Sequence, residues 1–397
     1  MRGRARSDAG FTLIEMVVST GIMLAVTAGV FTVLNPSQGI FQQQPEVADM
    51  QQRLRVGVDT LKNDLMMAGA GSYAGSQSGS LIGFFAPVMP FVQGWSNQYD
   101  DGQGVFRTNR ITLLYVPSTA SQTRLQADMV NGASTIAVTR EFGCPVNNQL
   151  CGFKVGTTLL IYDTTGAFDT FTVTAVGLAG QLTLQHTQQG ALSKAYLAAN
   201  TQVAELGQHS YFLDANTNQL MHYDGFNTAT PILDNVVGLD FEYYGDPAPP
   251  VRRKPGTIDL STTYGPAPLA PPPALNTING WPIVGENCVI QMVGGQQVAR
   301  LATLTANTTL VQLTPAQLTD GPWCPDAGNA NRYDADLLRI RKIRVTLRVQ
   351  TGNASLRGLA TGPNALFTQG GTARGARAVP DRSIRFDVSP RNLNLGR

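Results

Sequence analysis

From Phe11 to Leu34 the chain runs 24 residues with one charge, Glu15. At about 1.5 Å per residue a helix there would be roughly 36 Å long, enough to cross a hydrocarbon layer of about 30 Å. Beyond Pro45 the pattern changes. Val47, Met50, Leu54, Val58, Leu61, Leu65 and Ala68 recur at spacings of three and four, one apolar stripe on an amphipathic helix. Arg53, Arg55, Asp59, Lys62 and Asp64 decorate its other faces, and Gly69 and Gly71 end it. Pro36 and Pro45 are expected to kink or interrupt the helix, because proline lacks a backbone donor and clashes with the preceding turn.

After residue 70 the period shortens towards two. Arg110–Val116, Ser134–Thr139 and Thr157–Asp163 read as partly or fully buried strands, and Phe168–Val176, Gln181–His186 and Val236–Tyr244 as alternating or β-branched ones. Ser210–Asp224 has the form of a hairpin with an Asn-rich turn. In the run Leu338–Gln350, Ile343, Val345, Leu347 and Val349 share one face, and Lys342, Arg344, Thr346 and Arg348 the other. Arg382–Ser389 is expected to be the last strand. Asp246–Pro282 is dense in proline and reads as an extended excursion inserted into the β body. The chain thus divides into a leader (1–10), a transmembrane helix (11–34), its amphipathic continuation (35–70), a β-rich body (71–245), a Pro-rich insertion (246–336) and returning strands of that body (337–397). The fold class is α+β: a long N-terminal transmembrane helix packed on a β-rich globular domain with a Pro-rich insertion.

Composition agrees with an exported β protein rather than a cytosolic α/β enzyme: 14% charged residues, 41 Gly and 23 Pro. The net charge of +2 equals that of the first ten residues, where Arg2, Arg4 and Arg6 face Asp8. No global field argues for nucleic acid. The segment from Leu338 onward carries a net +10, balanced by −10 between Phe11 and Leu337, and its simplest meaning is a strand face docked on acidic neighbours.

The three arginines fit a cytoplasmic leader under the positive-inside rule. The small residue Gly10 precedes the apolar stretch, and no A-x-A-like site follows it, so removal of the leader would leave the helix attached. The stretch "AGFTLIEMVVSTGIMLAV" resembles the N-terminus of type IV pilins and pseudopilins. The resemblance implies that a prepilin peptidase cuts between Gly10 and Phe11, that Phe11 is then N-methylated, and that Glu15 meets the N-terminal amine of a neighbouring subunit during assembly. A buried carboxylate with a supplied cation is tolerable where a lone one is costly. "LRVGVDTLKNDLMMAGAG", "NVVGLDFEYYG", "LRIRKIRVTLRVQTG" and the Arg391-Asn392-Leu393 ending are similar in kind to PilW-type minor pilins. That implies a pilin-like body behind a filament helix, and a non-enzymatic subunit built in at or near a pilus tip to prime assembly. Twitching, adhesion or DNA uptake would follow. Its partners would be the prepilin peptidase, the major and other minor pilins, the inner-membrane assembly platform, and lipid along residues 11–34. It would sit as a single-pass inner-membrane protein with a periplasmic body, then in an extracellular pilus. A J-type pseudopilin of type II secretion shares the layout and is the alternative; a DNA- or surface-binding tip adhesin is the second.

Four cysteines in an exported region, Cys144 with Cys151 and Cys288 with Cys324, read as two local disulfides. His209 and His222 could face each other across the hairpin beside Asp214 and Asp224, but exposed strand ends explain them. Asp214, Asn216 and Asn218 begin like a calcium loop, yet Gln219 replaces the turn glycine and Gly225 the bidentate glutamate, so a polar turn is the better reading. Gly69–Ala74 fits a dinucleotide pattern but follows a helix rather than a strand. No metal, cofactor or catalytic constellation is expected. Lys342, Arg344 and Arg348 remain as a basic face with nucleic acid a disfavoured partner.

Overall fold

The computed structural model describes residues 11–71, 80–94, 98–117, 121–130, 132–141, 143–163, 166–177, 182–186, 192–199, 201–250, 288–307, 309–325, 329, 331–353, 357 and 379–394. Most of the Pro-rich excursion, and Gly10, lie outside these residues. The chain is α+β: one long helix followed by a β-rich region of several sheets. Two compact units divide it, one of residues 1–52 and 350–382, the other of residues 53–349 and 383–397.

Helix α1 spans Leu13–Met67, 55 residues, and runs through Pro36 and Pro45 without a break. The expected interruption does not occur. Each proline deletes a single amide donor, and the unbroken hydrogen-bond ladder on either side carries the helix across. The end comes where expected. Gly69 takes a left-handed φ of +77°, and the Ala70 N–H closes the last turn on the Met67 carbonyl at 3.0 Å. Of the apolar stripe, Met50, Leu54, Leu61, Leu65 and Ala68 are buried and Val47 and Val58 half-buried.

The strands are β1 (Val88–Met89), β2 (Arg110–Tyr115), β3 (Gln122–Arg124), β4 (Thr135–Ala137), β5 (Thr158–Asp163), β6 (Phe168–Gly177), β7 (Thr183–His186), β8 (Thr201–Glu205), β9 (Gly207–Asp214), β10 (Gln219–Tyr223), β11 (Thr230–Asp234), β12 (Val236–Gly245), β13 (Ile290–Val293), β14 (Gln296–Ala299), β15 (Val311–Leu313), β16 (Trp323–Cys324), β17 (Tyr333–Asp334), β18 (Ile340–Val349) and β19 (Arg382–Val388). In the larger unit they form sheets of order β1-β2-β9-β10-β11, β15-β12-β18-β19 and β3-β8-β5-β6-β7-β4, with two short ribbons. β12 and β18, which flank the insertion, pair antiparallel from Val236↔Val349 to Gly245↔Ile340. Ile343, Val345, Leu347 and Val349 are buried, as the alternation of that run predicts. The six-stranded sheet has its own core, including Leu159, Ile161, Phe171, Val173, Leu184 and Val203. In the same unit α1 lies close on a sheet at Gly57, where an added Cβ would come within 2.8 Å of Leu347.

In the smaller unit the Thr351 hydroxyl donates to Glu46 on α1, and Arg357 Nε donates to the Thr351 carbonyl at 2.8 Å.

Candidate functional site

The first turn of α1 and the apolar surface behind it are the most distinctive site. Leu13–Thr32 has a mean hydropathy of 1.9, and none of it is buried. Leu24 is 71% exposed within this 20-residue stretch and Phe11 89% exposed just before it, and at about 1.5 Å per residue the stretch matches a hydrocarbon layer of about 30 Å. Sequence reasoning placed Glu15 here as a charge awaiting a partner, and within the chain it already has one. The Thr12 N–H and hydroxyl donate to Glu15 Oε2 at 2.9 and 2.8 Å, and the Glu15 N–H donates to Thr12 Oγ1 at 3.3 Å. This is a capping box: an N-cap Thr and a Glu three residues on exchange hydrogen bonds with each other's amides. The T-x-x-E spacing signals it, and the transmembrane reading passed over it.

The cysteines pair as 144–151 and 288–324, with S–S distances of 2.09 and 1.99 Å. Glu141 lies beside the first pair, but sulfurs tied in a disulfide offer no thiolate, and its Oε2 accepts the Gly152 N–H at 2.8 Å. Asp320, Asp334 and Asp336 also converge. Asp334 accepts the Gly321 and Asp336 amides at 2.6 and 2.8 Å, while Asp336 is held by Arg339. Burial pushes the Asp334 carboxyl up to about 7.

The basic face on β18 is met from within. Arg344 Nε lies 2.6 Å from Asp387 Oδ1, Lys342 Nζ 3.1 Å from Asp387 Oδ2, and Arg385 2.7 Å from Glu242. Glu242 sits directly opposite Arg344 in the β12–β18 register. The guanidinium hydrogen bonds hold the Asp387 carboxyl down to about 2. Lys342 and Arg344 also lie over the Tyr244 ring, and Arg348 is buried. The Asn-rich turn is local: Asp214 accepts the Asn216 amide at 2.9 Å and the Thr217 hydroxyl at 3.0 Å, and Asn218 is left-handed at φ +53°.

The histidines depart most from expectation. His209 and His222 do face each other, with His222 Nε2 2.9 Å from His209 Nδ1, but the acidic partner is Asp64 on α1, 3.0 Å from the same Nδ1. Asp224 instead accepts the amides of Phe226 and Asn227. Tyr115 Oη lies 3.0 Å from His209 Nε2, and the Tyr211 hydroxyl donates to Asp64. His209 and Tyr211 are two apart on β9 and so share a face, the one signal from which this cluster could have been read.

His186 is buried against Phe171, ring centroids 4.6 Å apart, with neither ring nitrogen in a well-formed hydrogen bond. Burial holds its imidazole below the usual value, against a smaller pull from the Ala133 backbone. The unfolded chain therefore gains a proton below about pH 6.5 that the folded site refuses, and stability falls as pH falls through that value. His186→Phe is expected to raise stability at pH 7 by about 1 kcal/mol by removing two buried nitrogens that lack a well-formed hydrogen bond. It should also flatten the decline between pH 6.5 and 5, read as denaturation midpoints across that range; an unchanged pH slope would count against this account.

Residues 5–31 match the family model described as the prokaryotic N-terminal methylation motif. No curated protein and no solved structure matches the chain. The matched segment covers both sides of the Gly10–Phe11 junction, the capping box and nearly all the apolar stretch, and it supports a type IV pilin-like prepilin N-terminus.

Proposed function

We propose that the chain is a minor subunit of a type IV pilus: cut between Gly10 and Phe11 by a prepilin peptidase, N-methylated on Phe11, and drawn from the inner membrane into the filament at or near its tip, where it primes assembly. The observation that carries this reading is the coincidence of the methylation motif at residues 5–31 with a wholly unburied apolar helix over Leu13–Thr32. An apolar helix surface of that size needs lipid or other helices around it, and a filament core supplies the second when the subunit leaves the first. The tip is favoured by bulk, since the β-rich region behind the helix would crowd a repetitive shaft. The paired state of Lys342 and Arg344 gives no support to a nucleic-acid role.

Mass spectrometry of the mature protein is expected to find Phe11 as the first residue, carrying one methyl group. An uncut Met1, or cleavage beyond residue 30, would refute the reading. Intact filaments together with a protein-secretion defect in a deletion strain would move the chain to the J-type pseudopilins.

A further inference from the structure

The Asp64 cluster joins four elements of the larger unit by side chains that share protons. Asp64 lies in the last turns of α1, Tyr115 ends β2, His209 and Tyr211 lie on β9, and His222 lies opposite Tyr211 on β10. The rings are layered, with His209 stacked on Tyr115 at 11° and 5.4 Å and its centroid 4.9 Å from that of His222. Asp224, just past β10, also acts on His222. The joint is half-buried, the Asp64 and His209 side chains being 19% and 26% exposed.

Proton counting fixes what this arrangement tolerates. His209 Nδ1 faces a carboxylate oxygen at 3.0 Å and an imidazole nitrogen at 2.9 Å. The carboxylate only accepts, so the Nδ1 proton lies between His209 and Asp64, and His222 Nε2 must present its lone pair to the same N–H. Tyr115 then donates its hydroxyl proton to His209 Nε2. A first added proton fits: it settles on His209 Nε2, Tyr115 rotates to accept it, and the imidazolium gains Asp64 as counter-ion. A second does not fit. It must go to His222 Nε2, which would set N–H against N–H across 2.9 Å beside an existing positive charge.

We propose that Asp64, His209 and His222 form a proton-operated clasp fastening the end of α1 to the β9–β10 hairpin, closed while the imidazoles hold at most one extra proton and released when both are charged. The groups' acidities agree in direction. Burial, then the His209 charge, holds His222 below its usual value. Burial pushes the Asp64 carboxyl up, but hydrogen bonds from His209 and Tyr211 and the two imidazoles hold it lower overall. Burial, then Asp64, pushes the Tyr115 hydroxyl up to about 12, so it stays protonated and can both donate and accept. A depressed His222 means that the closed form is complete above the unfolded value of about 6.5 and weakens as pH falls below it; a depressed Asp64 means that its share is lost only as pH falls through its lowered folded value. The clasp rests on the body alone and holds whether or not the chain is a filament subunit.

The chain has three histidines, so NMR of the full-length protein in detergent micelles with histidine-labelled rings gives three resolvable titrations. His186→Phe identifies the third. The expected result is that the ring signals of His209 and His222 report each other's protonation, a coupling that disappears in His222→Phe. Crossing the second protonation should cut hydrogen-exchange protection of amides 61–68 at least tenfold in the wild type but not, over the same pH range, in His222→Phe. Independent titration of the two rings would overturn the proposal, as would unchanged protection across the second protonation or a loss spread evenly over the β5–β6 core. If His222→Phe does not fold, the wild-type titration and exchange profile decide alone.

Discussion

Replacing Arg339 by methionine is expected to destabilise the body by about 3–5 kcal/mol, the range for breaking a buried ion pair by removing one partner. Arg339 is a fully buried cation, 0% exposed, in the turn that leads into β18. Its Nε meets Asp336. One terminal nitrogen donates to the carbonyls of Asp246, Pro247 and Ala248 at 3.4, 3.0 and 2.8 Å, and the other to Ala302 at 2.6 Å. These carbonyls lie where the chain leaves β12 and where it returns after β14, so one guanidinium closes the neck of the insertion. The backbone repeats the contact: the Asp246 amide donates to the Arg339 carbonyl at 3.0 Å, and a Cβ on Gly245 would lie 2.7 Å from that carbonyl oxygen. Without the cation, Asp336 is left in a site whose burial already raises its carboxyl, and several buried carbonyls lose their donor. Arg339→Lys keeps the charge but not the planar fork and should recover less than half of the loss. Asp336→Asn combined with Arg339→Met removes both charges and should be less damaging than Arg339→Met alone. Denaturant titration of the purified chain measures all three. A cost below about 1 kcal/mol for Arg339→Met would show that the neck is held by other means.

Arg339 also shows where the sequence stops being legible. Read along the chain it is the first of a run of arginines on an alternating strand, and nothing local separates it from Arg344. One is fully buried and the other lies on a partly open sheet face, because carbonyls some ninety residues earlier reach only the first. Alternating or β-branched patterning does find β6, β12 and β18, and short continuous apolar runs find β2 and β5, which are buried almost throughout. Neither pattern can say that Glu242 stands opposite Arg344, because register across the insertion is a long-range fact. Asp64 was read as decoration on the polar side of a helix for the same reason: its partners arrive on β9 and β10, about 150 residues later. The apolar run and its lone carboxylate were legible because they are local, and the capping box, though missed, has an equally local signal in the T-x-x-E spacing.

Changing Glu15 is expected to separate two roles that coincide at one side chain. Position N3 of a helix favours a carboxylate for two reasons, the reciprocal bonds to the N-cap and the positive end of the helix dipole. Both act within a single chain, and Thr12 supplies the first. If pairing with a neighbour's Phe11 amine drives incorporation, the charge must matter beyond the cap. Glu15→Gln keeps an oxygen for the Thr12 amide and hydroxyl but has no charge for the amine, and it should lower the ratio of filament-borne to membrane-held subunit on the order of tenfold or more, because an amine then enters an apolar core unpaired. Thr12→Val keeps the charge and loses the cap hydroxyl, and should lower the ratio by only about fivefold, the equivalent of losing a helix cap worth about 1 kcal/mol. Quantitative immunoblots of sheared filaments against membranes measure the ratio, and mass spectrometry of both pools shows whether cleavage is intact in each variant. The reverse order, with Thr12→Val more damaging than Glu15→Gln at equal cleavage, would make Glu15 a helix cap that happens to be charged and would remove the intersubunit pair from the assembly step.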